Sequence, residues 1–248
     1  MFQRIKSSPL FRRGHALIRG EWAVLALLAI SSGLVYGFVR LADEVVEGET
    51  ATFDNGVLQL FRNPADPNDV IGPLWVEEMV RDITSLGSYA LLILISLSVV
   101  IYLLLARMRA AALLVLVSVV GGMILSTALK IGFDRPRPDL TVMSHQFTSS
   151  FPSGHSLLSA VTFLTLGTLL AQLAPTRSQR VFAILAAVVL TLMVGLSRIY
   201  MGVHFPTDVL AGWSLGAAWA LLCGAIGHLL QRRGAVEEPG EITETRER

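Results

Sequence analysis

Six apolar segments, at about residues 22–42, 87–106, 110–129, 156–174, 181–197 and 209–230, constrain this chain more than any other feature. Each approaches the roughly 20 residues that a helix needs to cross the hydrocarbon of a bilayer. Backbone amides left unpaired in hydrocarbon cost several kcal/mol each, so segments of this kind cross as helices. The sequence therefore predicts an all-α, polytopic membrane protein built as a six-helix transmembrane bundle. Only 16% of the 248 residues are charged and 53% are hydrophobic, a balance that excludes an ordinary water-soluble domain of this size.

The net charge of +1 says little, but the placement of Lys and Arg says more. Arg4, Lys6, Arg12, Arg13 and Arg19 precede the first segment, Arg107 and Arg109 follow the second, Arg177 and Arg180 follow the fourth, and Arg232, Arg233, Arg246 and Arg248 close the chain. Positive residues concentrate on the cytoplasmic side of membrane proteins, so both termini are expected there. Threading six spans from that start puts residues 43–86, 131–155 and 198–208 on the outer face. The first segment could instead be read as a secretory signal ending near Ala29-Ile30-Ser31, but its apolar run continues through Leu34, Val35 and Val39 toward spanning length. The single cysteine, Cys223, lies within the last segment and can form no intrachain disulfide.

No internal repeat is present, and every connection but one is too short for a second domain, so residues 1–233 are expected to form one transmembrane domain. Residues 234–248 carry Glu237, Glu238, Pro239 and Gly240 without apolar periodicity and read as a disordered cytoplasmic tail. The exception is the first outer loop, 43–86, acidic and broken at Asn63-Pro64-Ala65-Asp66-Pro67. Phe53, Val57, Leu60 and Phe61 recur at helical spacing, as do Val76, Met79, Val80 and Ile83 beside Trp75. Two short amphipathic helices are expected, lying on lipid or on the flank of the bundle.

Three constellations stand at the ends of the apolar segments: Lys130 with Arg137-Pro138, then Pro152-Ser153-Gly154-His155, then Ser197-Arg198 with His204 and Asp208. A single basic residue at a span end is usually an anchor that snorkels to the interface. Three cations, two imidazoles and a carboxylate at one membrane edge are costly without a purpose, and together they suit phosphate. Pro136 and Pro138 hold the Arg137 loop extended. Ser150 and Ser153 are candidate caps for a helix starting near Gly154, and the free N–H groups of such a start bind phosphate. Asp208 can fold back onto His204, fixing one imidazole nitrogen and leaving the other nucleophilic. Asp139 and His145 complete no metal-ligand spacing and read as loop residues.

Lys130 with Arg-Pro seven residues on, then Pro-Ser-Gly-His, then Ser-Arg with His204 and Asp208 specify eleven positions in order. In these positions the chain resembles the type 2 phosphatidic acid phosphatase family. The resemblance implies that His204 is the nucleophile that forms a phosphohistidine and that Asp208 orients it. It implies that His155 protonates the leaving oxygen and then activates water. Lys130, Arg137, Ser153, Gly154 and Arg198 would bind the phosphoryl oxygens, with no metal and no cofactor. The substrate class implied is a membrane lipid phosphate such as phosphatidic acid, phosphatidylglycerol phosphate or a polyprenyl diphosphate. The bilayer would be its partner, nucleic acid would not, and a bacterial inner membrane its place. A lipid phosphotransferase would carry the same motifs, and vanadium haloperoxidases share the phosphate-binding pattern.

Overall fold

The computed structural model describes residues 9–138 and 149–232; the expected tail, Asp139 and His145 lie outside them. Helix α1 (Pro9–Glu47) leads to a short α2 (Ala51–Gln59) and an antiparallel hairpin of β1 (Arg62–Asn63) and β2 (Asp66–Val70). Five further α-helices follow: α3 (Leu74–Ser85), α4 (Tyr89–Leu105), α5 (Arg109–Gly132), α6 (Gly154–Leu173), α7 (Arg177–Tyr200). Helix α8 (Pro206–Arg232) ends the described chain.

Among the described residues, five helices are long and apolar enough to cross a membrane: Val24–Glu47 of α1, and α5, α6, α7 and α8. The expected span at 87–106 differs, because α4 has only 17 residues. It becomes a sixth crossing when joined to α3 as one broken span bent by 48°. The break has a local cause. Ser88 leaves helical geometry and its side chain accepts the Leu91 N–H, so a new helix is capped there instead of the old one continuing. Helices are indeed present at 51–59 and 74–85, but the connection between them is a hairpin where only a turn was foreseen.

Helix α6 is the centre of the bundle, packed against α5, α7 and α8, with α1 packed against α8. Its buried residues include Ser156, Ser159, Thr162 and Thr165, while Tyr36, Ile124, Phe182 and many other large apolar side chains point outward. This inversion suits lipid, where helices associate through close packing and polar contacts because the solvent is itself apolar. Trp213 donates to the Thr191 carbonyl and Trp219 to the Ser118 carbonyl, tying α8 to α7 and α5. Helices α8 and α6 approach each other backbone to backbone. A Cβ added at Gly212 would come 2.7 Å from the Ser153 carbonyl oxygen, and one at Gly216 2.5 Å from that of Leu157. These two glycines, four residues apart, bring the starts of α6 and α8 together.

Candidate active site

Four helix ends meet at one end of the bundle. Lys130 lies in the last turn of α5 and Arg198 in the last turn of α7, while α6 begins at Gly154 and α8 at Pro206, with Asp208 in its first turn. The Ser153 N–H donates to the Asp208 carbonyl at 2.9 Å, joining the two helix starts directly. The loop from Phe133 to Pro138 is extended, and residues 149–151 pin it: Ser150 donates through its N–H to the Arg135 carbonyl and through its hydroxyl to the Pro136 carbonyl. Phe151, fully buried, stacks against Phe38 and meets Phe133 edge-on. Ser153 caps α6 as expected, accepting the Ser156 N–H; Ser150, the other cap candidate, is a loop clamp instead.

These ends enclose a cavity of about 840 Å³ lined by Lys130, Arg137, Gly154, His155 and His204, with Tyr89, Ile131 and Phe133 on its walls. Five of the eight residues singled out in the sequence thus face one space. Ser153, Asp208 and Arg198 are buried and are not among the lining residues. Lys130 donates to the Ser149 carbonyl at 2.8 Å. Arg137 donates to the Val203 carbonyl at 3.0 Å and lies 3.2 Å from His204 Nε2. Arg198 donates to the Thr84 hydroxyl at 3.1 Å, and its Nε is buried with no hydrogen-bond partner among the described residues. Gly154 gives Lys130 room, since an added Cβ would lie 3.3 Å from the lysine Cε.

His204 is 2% exposed, with Nδ1 3.4 Å from Asp208 Oδ2. That oxygen also accepts the Phe205 N–H at 2.9 Å. A ring carrying its proton on Nδ1 satisfies both sides at once, donating to the carboxylate while the Nε2 lone pair faces Arg137 and the cavity. Burial pushes the His204 imidazolium down to about 4, with the Asp208 hydrogen bond opposing the shift. The ring is therefore neutral near pH 7, the form a nucleophile requires. Burial likewise lowers the Arg137 guanidinium, which Asp208 counteracts. Among the described residues no three His, Cys, Asp or Glu side chains gather as a metal set.

Two residues of this region escaped the sequence reading. Arg135 reaches Asp208 Oδ1 at 2.6 Å and Asp54 Oδ2 at 2.7 Å. Asp54, fully buried, takes both the N–H and the hydroxyl of Thr207. A signal existed for Asp54: it lies three residues before Val57 and four before Leu58, on the face of α2 that packs. The apolar residues assigned to that face divide, Val57 and Phe61 packing inward while Phe53 and Leu60 are exposed.

The family model described as the PAP2 superfamily matches residues 110–231. Phosphatidylglycerophosphatase B of Bacillus subtilis is 34% identical over 144 residues, 57% of this chain and 70% of that protein. This chain belongs to the PAP2 superfamily. A lipid A 1-phosphatase of Rhizobium etli is 30% identical over 178 residues, 62% of this chain and 72% of its own length. Among solved structures, a transmembrane PAP2-type phosphatidylglycerolphosphate phosphatase from Bacillus subtilis superposes with a TM-score of 0.72 at 29% identity, covering 82% of this chain and 98% of that one. The PAP2 match covers α5 to α8, the four helices whose ends build the cavity. This PAP2 protein is a multi-pass membrane protein, as its apolar helices and its transmembrane relative require.

Proposed function

We propose that this protein is a membrane lipid phosphatase that removes the terminal phosphate of a phospholipid, phosphatidylglycerophosphate foremost, through a phosphohistidine on His204. The observation that carries the reading is the shared cavity. His204 and His155 both face it, Lys130 and Arg137 line it, and Tyr89, Ile131 and Phe133 add an apolar wall suited to the acyl end of a lipid.

In this reading Nε2 of His204 attacks phosphorus, an N–P bond forms and the P–O bond to the lipid breaks. The Nδ1 proton stays on the ring, held by Asp208, and His155 gives a proton to the departing oxygen. Water, deprotonated by His155, then attacks phosphorus and releases His204 and inorganic phosphate. Charge spreads over three phosphoryl oxygens in such a transition state, so fixed cations and helix N-termini supply much of the catalysis. Lys130, Arg137 and the Gly154 amide fill that role at the cavity wall, with Arg198 and Ser153 behind it.

The preference for phosphatidylglycerophosphate draws on the relatives that act on that lipid. The test is purified protein in detergent with phosphatidylglycerophosphate, phosphatidic acid, a polyprenyl diphosphate and a lipid A phosphate, scored by phosphate release without an acceptor lipid. Release fastest from phosphatidylglycerophosphate is expected. Turnover only when an acceptor lipid is added would make the protein a phosphotransferase.

The same reading takes α3 with α4 as a sixth crossing, both termini in the cytoplasm and the cavity on the outer face of a bacterial inner membrane, on the strength of the basic bias. A cysteine placed at Ser149 in a Cys223→Ala background should then react with an impermeant reagent added outside, and one at Ser178 should not. The reverse pattern would turn the site toward the cytoplasm.

A further inference from the structure

Behind His204, on the side away from the cavity, the buried Asp208 carboxylate is held at both oxygens. Oδ2 takes the Phe205 N–H and faces His204, while Oδ1 accepts from Arg135 Nη1 at 2.6 Å. The same Nη1 also reaches the Thr207 hydroxyl at 2.8 Å. The second arm of the guanidinium, Nη2, donates to Asp54 Oδ2 at 2.7 Å and approaches the Thr50 hydroxyl at 3.4 Å. Its plane lies over Phe205, with Cζ 4.4 Å from the ring centroid. Asp54 is itself fixed by Thr207, three residues from His204. Arg135 is therefore clamped from α2, from the start of α8 and from its own loop, whose backbone is bound at Ser149 and Ser150.

We propose that Arg135, clamped by Asp54, is a positioning residue for phosphoryl transfer: it holds the far oxygen of Asp208 so that the near one receives the His204 Nδ1–H throughout the reaction. The inference rests on the reading of His204 as nucleophile.

Charge explains why two carboxylates share one guanidinium. A lone buried carboxylate beside a neutral imidazole would be strongly disfavoured, and Arg135 compensates it in the resting enzyme. If Arg135 answered Asp208 alone, nothing would remain for the ring when it becomes cationic. Asp54 takes up part of the guanidinium, leaving the cluster one negative charge in excess at rest. That charge is balanced when the N–P bond forms and His204 gains its positive charge. The Nδ1 proton need not move, because a carboxylate bonded to a guanidinium is a poor base yet a good hydrogen-bond acceptor. The fork geometry matters as well, since an ammonium is a point charge that cannot bridge both carboxylates in one plane.

The test is a cycle of variants assayed for kcat, KM and inhibition by inorganic phosphate. Arg135→Lys is expected to lower kcat about 100-fold while KM and the phosphate inhibition constant stay within about twofold, the signature of a transition-state effect without lost ground-state binding. Asp54→Asn, nearly isosteric, is expected to act in the same direction by about tenfold, and it keeps the test alive if Arg135→Lys does not fold. Asp208→Asn should cost on the order of 10⁴ in kcat. If Arg135 acts through Asp208, the double variant Asp208→Asn with Arg135→Lys will lose no more than Asp208→Asn alone. The proposal is overturned if the two losses multiply, if binding of inorganic phosphate weakens in step with kcat, or if Arg135→Lys and Asp54→Asn are both fully active. Failure of the underlying reading looks different: Asp208→Asn would remain active, or no phosphoenzyme would be trapped on His204.

Discussion

The two sides of His204 are built from the same residue types and do opposite things. On the cavity side the cations donate to neutral atoms: Lys130 to the Ser149 carbonyl, Arg137 to the Val203 carbonyl. On the rear side Arg135, two residues from Arg137, donates to two buried carboxylates. Positive charge at a cavity wall can meet an anion, whereas positive charge bound between two buried carboxylates holds its neighbours in place. One Arg-Pro-Arg-Pro loop thus supplies one guanidinium to the cavity wall and another to the buried carboxylates behind it.

The comparison breaks most sharply at the ring between the two sides. His204→Ala should abolish turnover, a loss on the order of 10⁶ in kcat when a nucleophile is removed, together with any phosphoenzyme trapped by acid quench. Near-normal phosphate release in that variant would remove the covalent mechanism altogether. Next in size is the cavity side itself. Lys130→Ala should reduce kcat by about 10²–10³, the cost of losing one preorganised group at a developing charge, and should weaken inhibition by inorganic phosphate as well. Loss of phosphate affinity separates this lysine from Arg135, whose variants should spare it.

How far these features could be read in advance follows the same division. The cavity side was legible because its residues recur at fixed spacings in three motifs, and each motif lies at a helix end where a polar residue is conspicuous against an apolar run. Arg135 was hidden because a charge in a loop reads as solvated, and its partnership with Asp54 links positions 81 residues apart in the chain. The helices were legible from apolar length and periodicity, including the boundary between the second outer-loop helix and the span beginning near residue 87. What stayed hidden at that boundary is the packing of Gly87. That glycine is packed so closely that an added Cβ would collide with Val194 and come 3.2 Å from His155 Cδ2. No periodicity reveals a crowding that depends on another helix.

A smaller effect tests what holds the two sides in register. Gly216→Ala would press a methyl group against the Leu157 carbonyl and the Ala160 side chain, so the thermal midpoint should fall by the equivalent of about 1–3 kcal/mol, the usual cost of overpacking. Because α8 carries Asp208 and α6 carries His155, kcat should fall with it; an unchanged midpoint would mean that the helices can separate without consequence. The smallest effect expected is none at all. Incubation with EDTA should leave phosphate release unaltered, since the cations invoked are side chains, and restoration of a lost activity by a divalent metal would overturn that assignment.

The meeting of four helix ends has one more consequence. Lys130 and Arg198 occupy C-terminal turns and Asp208 an N-terminal turn, so every one of these charges stands at the helix end whose partial charge is opposite to its own. The peptide dipoles of the bundle thereby act as a fixed solvent, above all for Arg198 and Asp208, which are buried. Salt screens a field from buried charges much less than it screens surface charges. Turnover of a small soluble phosphate ester should accordingly vary little with ionic strength, unlike an enzyme that gathers phosphate with exposed lysines.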